Sequence, residues 1–151
     1  MNIRALLRIL YVIFSYLLLP LIFFHLAYKG FSDRDYFKRI GERFGFNGNP
    51  LAESIVWVHA VSYGEVKAAS ILITELKRKY PEKKLLITTY TPTGSSLVKE
   101  LFGNEVYHVY LPYDLAGSMI RFFKWAKPEI LIIIETELWP NLFHYCGRFN
   151  V

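Results

Sequence analysis

The stretch Ile55-Val56-Trp57-Val58-His59-Ala60-Val61-Ser62-Tyr63-Gly64-Glu65 decides the fold. Its first part, 55–61, is a short apolar run suited to a buried strand. It gives way to Ser-Tyr-Gly-Glu and then to a helical pattern over 65–80, with Val66, Ala69, Ile73 and Leu76 on one side and Lys67, Thr74, Lys77 and Arg78 elsewhere. Leu72 widens the apolar side, and Pro81 ends the helix. The alternation then repeats. Strands are predicted over 85–90, 106–111 and 130–134, and helices over 93–101, 115–126 and 138–148. Gly103 closes the second helix and Pro128 stops the third. Units of this length imply right-handed crossovers, and so an α/β domain with a parallel sheet covered on both faces. The domain occupies 51–151. A sheet built this way wants another strand after its last helix, so the expectation is a domain cut short at its C-terminus.

Each predicted strand ends in a polar or glycine-bearing loop: Val-Ser-Tyr-Gly-Glu (61–65), Thr-Tyr-Thr-Pro-Thr-Gly (89–94), Pro-Tyr-Asp (112–114) and Glu-Thr-Glu-Leu-Trp-Pro-Asn (135–141). Strands of a parallel sheet end on one edge, so these loops are expected to meet in one cleft.

Ahead of the domain, residues 9–28 hold no Asp, Glu, Lys or Arg. About 20 such residues can cross the hydrocarbon layer as a helix. No small-x-small cleavage site precedes Lys29, so a retained membrane-anchor helix is expected rather than a cleaved signal. Pro20 should kink it, and Tyr11, Tyr16 and Tyr28 suit interfacial levels. Crossing the bilayer and lying partly in the interface both stay open. The short flank 1–8 carries Arg4 and Arg8. The juxtamembrane segment 29–50 carries Lys29, Arg34, Lys38, Arg39 and Arg43. The heavier basic side is C-terminal, which puts the domain on the cytoplasmic face. The net charge of +5 admits nucleic acid, anionic membrane or phosphorylated ligands. The adjacency of the apolar and basic segments selects the membrane, and no nucleic-acid partner is expected. Arg39 and Arg43 sit in Arg-Ile-Gly-Glu-Arg-Phe-Gly (39–45). They are either solvated headgroup contacts, worth about 1 kcal/mol each near an anionic leaflet, or recognition groups for a phosphorylated lipid. The single cysteine, Cys146, allows no internal disulfide and fits a reducing compartment.

Within the loops, Glu65 follows Gly64 at a strand-to-helix turn. There it is either helix-terminus chemistry or a general base, which would need a raised proton affinity from burial or a second carboxylate. Glu135 and Glu137, two apart on an extended chain, would share a face; either one could instead cap the following helix. Trp139 in Trp-Pro-Asn is an aromatic wall or simply a helix start with Pro in its first turn. Thr88, Thr89, Thr91, Thr93 and Gly94 line an anion or sugar pocket, or form an ordinary loop with a Thr cap. His59, His108 and His144 show no metal spacing. Neither Gly-x-Gly-x-x-Gly nor a Walker loop occurs, which argues against a nucleotide-binding module, and no metal or cofactor is expected.

Trp-Val-His-Ala-Val-Ser-Tyr-Gly-Glu (57–65), Thr-Tyr-Thr-Pro-Thr-Gly (89–94), Tyr-Leu-Pro-Tyr-Asp (110–114) and Glu-Thr-Glu-Leu-Trp-Pro-Asn-Leu (135–142) together resemble the N-terminal domain of 3-deoxy-D-manno-octulosonic acid (Kdo) transferases. So does the apolar segment followed by 39–45. The resemblance implies a Rossmann-like domain, the N-terminal half of a glycosyltransferase B-type fold, anchored at the cytoplasmic face of a bacterial inner membrane. It implies transfer of Kdo from CMP-Kdo onto a lipid A precursor, with inversion. It makes Glu65, in Ser62-x-Gly64-Glu65, the general base, and puts Glu137 in the same active site. Ser62, Gly64, Thr91, Thr93, Gly94, Trp139, Arg39 and Arg43 become substrate-binding candidates. The second, donor-binding domain of that family is absent from these 151 residues, so the expectation is an acceptor-side half inactive alone. The alternative is a non-catalytic, membrane-anchored remnant that docks a phosphorylated lipid or a partner domain.

Overall fold

The computed structural model describes residues 3–151. Two helices, α1 (Ile3–Leu17) and α2 (Leu19–Ser32), lead through 3-10 turns at Arg34–Phe37 and Ile40–Phe44 into the alternating part. There β1 (Ile55–His59), α3 (Tyr63–Lys79), β2 (Lys84–Thr89) and α4 (Pro92–Phe102) are followed by β3 (Tyr107–Tyr110), α5 (Ala116–Ala126), β4 (Pro128–Ile133) and α6 (Pro140–Phe149). The strands pair in parallel in the order β3-β2-β1-β4.

β1 sits between two neighbours, with Trp57 opposite both Leu86 and Leu131. Successive side chains point to opposite faces. Ile55 and Trp57 therefore pack with Met119, Phe122 and Phe123 of α5 and Leu142 of α6. Val58 and Ala60 pack with Val66, Ala69 and Ile73 of α3 and Leu97 and Val98 of α4. The first two crossovers cover one face and the third covers the other. The sheet thus has a switch point between β1 and β4, the place where ligands bind in open α/β sheets.

Two predicted bounds move for physical reasons. β1 stops at His59 because the Val61 N–H turns away from the sheet to the Glu65 carboxylate. β4 starts at Pro128, read above as a stop signal. Proline is tolerated as the first residue of an edge strand, where no ladder donor is required of it.

The segment expected as one kinked helix is two, meeting at 42°. Pro20 lies in the first turn of α2, where its missing N–H costs nothing. Among the described residues no single helix is long and apolar enough to cross a membrane; the bent pair passes together by length and composition. The 15 residues of α1 span about 22 Å, against roughly 30 Å of hydrocarbon. α1 also lies against the domain. Tyr16 Oη accepts from the Gly117 N–H at 3.0 Å, and Tyr11 Oη donates to Asp114 Oδ2 at 2.7 Å. Arg8 donates to Asn141 Oδ1 and stands 5.6 Å over the Tyr145 ring. Tyr11 and Tyr16, expected at interfacial levels, bond to the domain through their hydroxyls. The outer side of the pair stays apolar and open, with Leu17 71%, Phe24 72% and Phe31 87% exposed.

Candidate active site at the strand ends

The turn after β1 is held by its own residues. Ser62 caps α3, and its hydroxyl donates to Glu65 Oε1 at 2.9 Å. The Val61 N–H donates to Glu65 Oε2 at 2.6 Å. This is a capping box displaced by one residue, with serine and glutamate three apart bonding reciprocally. Glu65 is half-buried. Its carboxylate has about four acceptor positions and uses two, so it keeps lone pairs for a substrate proton. A Cβ on Gly64 would meet nothing within 4 Å, so the turn is open in front of this residue. Gly94 serves a different end. A Cβ there would come within 3.2 Å of the Ser62 carbonyl carbon, so this glycine lets the start of α4 lie against the Ser62 turn.

The β2 loop joins through the same backbone. The Val61 carbonyl accepts from the N–H groups of Tyr90 at 2.9 Å and Thr91 at 3.2 Å. Thr91 caps α4, accepting from the Gly94 N–H at 3.1 Å, and its hydroxyl lies 3.2 Å from that of exposed Thr93. The predicted Thr cap is therefore present. Thr88 and Thr89 are fully buried and turn into the sheet: Thr88 Oγ1 accepts from Trp57 Nε1 at 2.8 Å, and Thr89 Oγ1 lies 3.0 Å from His108 Nε2.

Tyr90 carries the connection to β4. Its ring stacks on Trp139 at 6.2 Å and meets Tyr113 edge-on at 5.9 Å. Burial first, then Tyr113 and Glu137, hold its phenol above the ordinary range, while Arg43 pulls it down. Glu137 is half-buried and Glu135 exposed. The shared face expected of these two does not form, because Glu135 adopts φ 68 and breaks the extended run. Trp139 is the residue before the first turn of α6, with Pro140 at its start, and Trp139 Nε1 finds no partner among the described residues.

Both candidate arginines are engaged. Arg43 is 1% exposed; it donates to the Tyr90 carbonyl at 3.1 Å and lies 4.2 Å over the Tyr110 ring. Arg39 pairs with Glu42 at 2.7 Å, donates to the His108 carbonyl at 2.9 Å and to Ser95 Oγ at 3.2 Å. Burial and then Arg39 push His108 down to about 3, so it stays neutral. Arg43 thus stands beneath the aromatic wall, and Arg39 pins the 3-10 segment to β3. Burial pushes the Cys146 thiol up, which makes it a poor nucleophile.

Sequence reasoning missed Asp114. It is 8% exposed, and its carboxylate accepts from the α6 N–H groups of Asn141 and Leu142, both at 2.9 Å, and from Tyr11. The loop 112–114 was visible as a strand end, but nothing in its spacing points to a helix start 27 residues on. Tyr90 and Tyr113 were likewise legible only as a strand end and a loop residue.

A groove of about 180 Å³ runs between Leu18 and Ile22 on one side and Tyr90, Tyr113 and Trp139 on the other. A larger hollow, about 390 Å³, lies along α5 by Phe46, Pro50 and Trp125, and holds none of the carboxylates. Among the described residues no three His, Cys, Asp or Glu side chains gather as a metal site.

A family model described as 3-deoxy-D-manno-octulosonic-acid transferase (kdotransferase) matches residues 38–151. A 3-deoxy-D-manno-octulosonic acid transferase of Haemophilus influenzae is 43% identical over 135 residues, covering 87% of this chain and 31% of its own. A probable mitochondrial transferase of the same name from Arabidopsis thaliana is 35% identical, covering 88% and 30%. One from Rickettsia bellii is 30% identical, covering 92% and 34%. The chain thus spans about a third of the length of the curated relatives it matches. With the model covering most of its length, including all four strand-end loops, the chain belongs to the 3-deoxy-D-manno-octulosonic-acid transferase family.

Proposed function

We propose that this chain forms the acceptor-side half of an inverting glycosyltransferase that moves Kdo from CMP-Kdo to a lipid A precursor in lipopolysaccharide synthesis. The observation that carries the reading is Glu65, a half-buried carboxylate with free lone pairs, in an open turn at the sheet's switch point. Glu65 takes the proton of an acceptor hydroxyl as that oxygen bonds to the anomeric carbon of Kdo. The bond from that carbon to the CMP phosphate oxygen breaks, and CMP leaves with its electron pair. The leaving group is already good, so this half mainly orients the acceptor and removes the proton. Glu137 lies on the far wall of the same crevice, with Trp139 beside it. Ser62 orients Glu65; Gly64 leaves room; Thr91, Thr93 and the packing at Gly94 shape the sugar side. Arg43 backs the wall from beneath, and Arg39 supplies positive charge at the outer rim, nearer to an acceptor phosphate.

The family's donor-binding domain completes the site as the second half of a glycosyltransferase B-type fold. The test compares a full-length protein carrying this sequence with the 151-residue chain alone, each given CMP-Kdo and a phosphorylated, acylated lipid A precursor. Turnover is expected only from the former. Transfer by the chain alone would refute the half-site reading, and no transfer by either would refute the activity.

α1 and α2 lie in the plane of the cytoplasmic side of the inner membrane rather than crossing it. Three observations support this: the hydrogen bonds that join Arg8, Tyr11 and Tyr16 with the domain, the short α1, and the apolar outer side. The groove at the α1–α2 bend then lets the acceptor's lipid part pass from the bilayer towards Trp139. Vesicle flotation with anionic lipid checks the location, and replacing Leu17, Phe24 and Phe31 by serine should release the protein.

A further inference from the structure

The group that holds the Glu137–Trp139 wall in place is neither on that loop nor on the helix it precedes. Asp114 reaches from the β3–α5 loop to the first free amides of α6 and accepts from both Asn141 and Leu142. Its backbone carbonyl also accepts from the Asn141 side chain. Apart from this, α6 has no side-chain cap of its own: Trp139 cannot accept a hydrogen bond at that position, and Pro140 has no donor. From the other side Tyr11 of α1 donates to the same carboxylate, and Arg8 donates to Asn141. The β3 loop, α1 and the start of α6 therefore meet on one buried anion. Trp139 directly precedes α6, and its ring is the one that stacks on Tyr90.

We propose that Asp114, with Tyr11, is a positioning residue for the transfer reaction: it seats the start of α6 and so holds Trp139 and Glu137 against the Tyr90 and Glu65 side of the crevice. The proposal rests on the active-site reading given above. It also makes α1 part of the site's architecture, since displacing α1 removes one of the carboxylate's donors. A buried carboxylate facing amide N–H groups is intolerant of an amide replacement, because one oxygen becomes an NH₂ that points donor to donor.

The test has two arms. In the first, a full-length protein carrying this sequence is assayed with CMP-Kdo and the acylated acceptor. Asp114→Asn should lower kcat about a hundredfold, the scale of a 1 Å misplacement of reacting groups. Tyr11→Phe removes a single hydroxyl and should lower kcat a few-fold. The KM for CMP-Kdo should stay the same in both, since the donor is held elsewhere. Wild-type kcat per folded molecule in both variants, or a loss carried by the donor KM, would overturn the proposal. The second arm needs no turnover. Trp139 emission, isolated by subtracting the Trp139→Phe spectrum, should shift to the red in Asp114→Asn as the ring leaves Tyr90. Unshifted emission would overturn the proposal even if kcat falls. Should Asp114→Asn fail to fold, Tyr11→Phe carries both arms with one hydrogen bond changed. A wild-type protein that transfers nothing, with the red shift still present, would sink the reaction assigned to the site and leave the seating role of Asp114 intact.

Discussion

The helix starts after β1 and after β4 solve one problem in opposite ways. Both must satisfy free amides at the strand-end edge of the sheet, and the loop before α6, like the first turn of α3, carries an acidic residue. At α3 the solution is local: Ser62 and Glu65, three apart, bond to each other and to Val61. At α6 it is remote, with Asp114 supplying the acceptor from 27 residues away. The difference teaches where chemistry and architecture part. The candidate base doubles as part of its own cap, so its placement depends on five consecutive residues. The opposite wall depends on three chain segments arriving together.

The largest test of that contrast is chemical. Glu65→Gln should cost about a thousandfold in kcat, within the 10²–10⁴ range of general-base catalysis, and change unfolding stability by less than about 1 kcal/mol, since Gln keeps one acceptor for the cap. Glu137→Gln should cost clearly less. If steady-state kinetics reverse that order, the base belongs to the β4 loop and the assignment fails.

Acid should load both sides at once. His59 ends β1 ahead of the local cap, and burial pushes it down to about 4, partly offset by a hydrogen bond with Thr88. His108 lies on β3 ahead of Asp114, and burial with Arg39 pushes it down to about 3. Both folded values lie below the free value of 6.5, so the unfolded chain binds these protons first. The stability these neutral rings provide is complete above pH 6.5 and falls as pH drops towards the folded values. The slope is about 1.4 kcal/mol per pH unit for each histidine. Urea titrations between pH 7 and pH 5 should show roughly two extra protons on the unfolded state at the lower end. His108→Gln should remove one of them; an unchanged count would place that proton elsewhere.

The remaining two tests weigh the caps directly. Asp114→Ala strands two amides and the Tyr11 hydroxyl, and should cost about 3 kcal/mol, in line with hydrogen bonds to a charged group. Ser62→Ala should cost about 1 kcal/mol, the usual worth of an N-cap. Equal losses in denaturant melts would erase the distinction between remote and local caps.

The two caps also explain what was legible. The four strands and the helices between them followed from hydrophobic period, and the Thr cap of α4 from its loop, whereas the Ser62 cap of α3 was not read and that helix was expected to start two residues later. The parallel order that puts the strand-end loops on one edge followed from the strand–helix alternation. The extended Glu135–Glu137 pair failed because a left-handed residue at the strand end leaves no mark in composition. The bend expected at Pro20 is present, but it separates two helices because Pro20 fits the first turn of a new helix as readily as it kinks an old one. Arg39 and Arg43 both read as exposed charges, which holds for Arg39 and fails for Arg43. Whether a guanidinium lies in water or under tyrosine rings depends on which rings arrive from β2 and β3.

Residue order alone settled the α/β alternation, the strand-end loops and the carboxylate that opens α3, because each rests on interactions within about five residues. Folding in three dimensions decided the rest: the face each crossover takes, the burial of Arg43, the docking of α1 and the capping of α6 by Asp114. Those depend on backbone amides and side chains from distant segments finding one another. An acceptor carries no sequence signal for a donor it meets only after the chain has crossed the sheet.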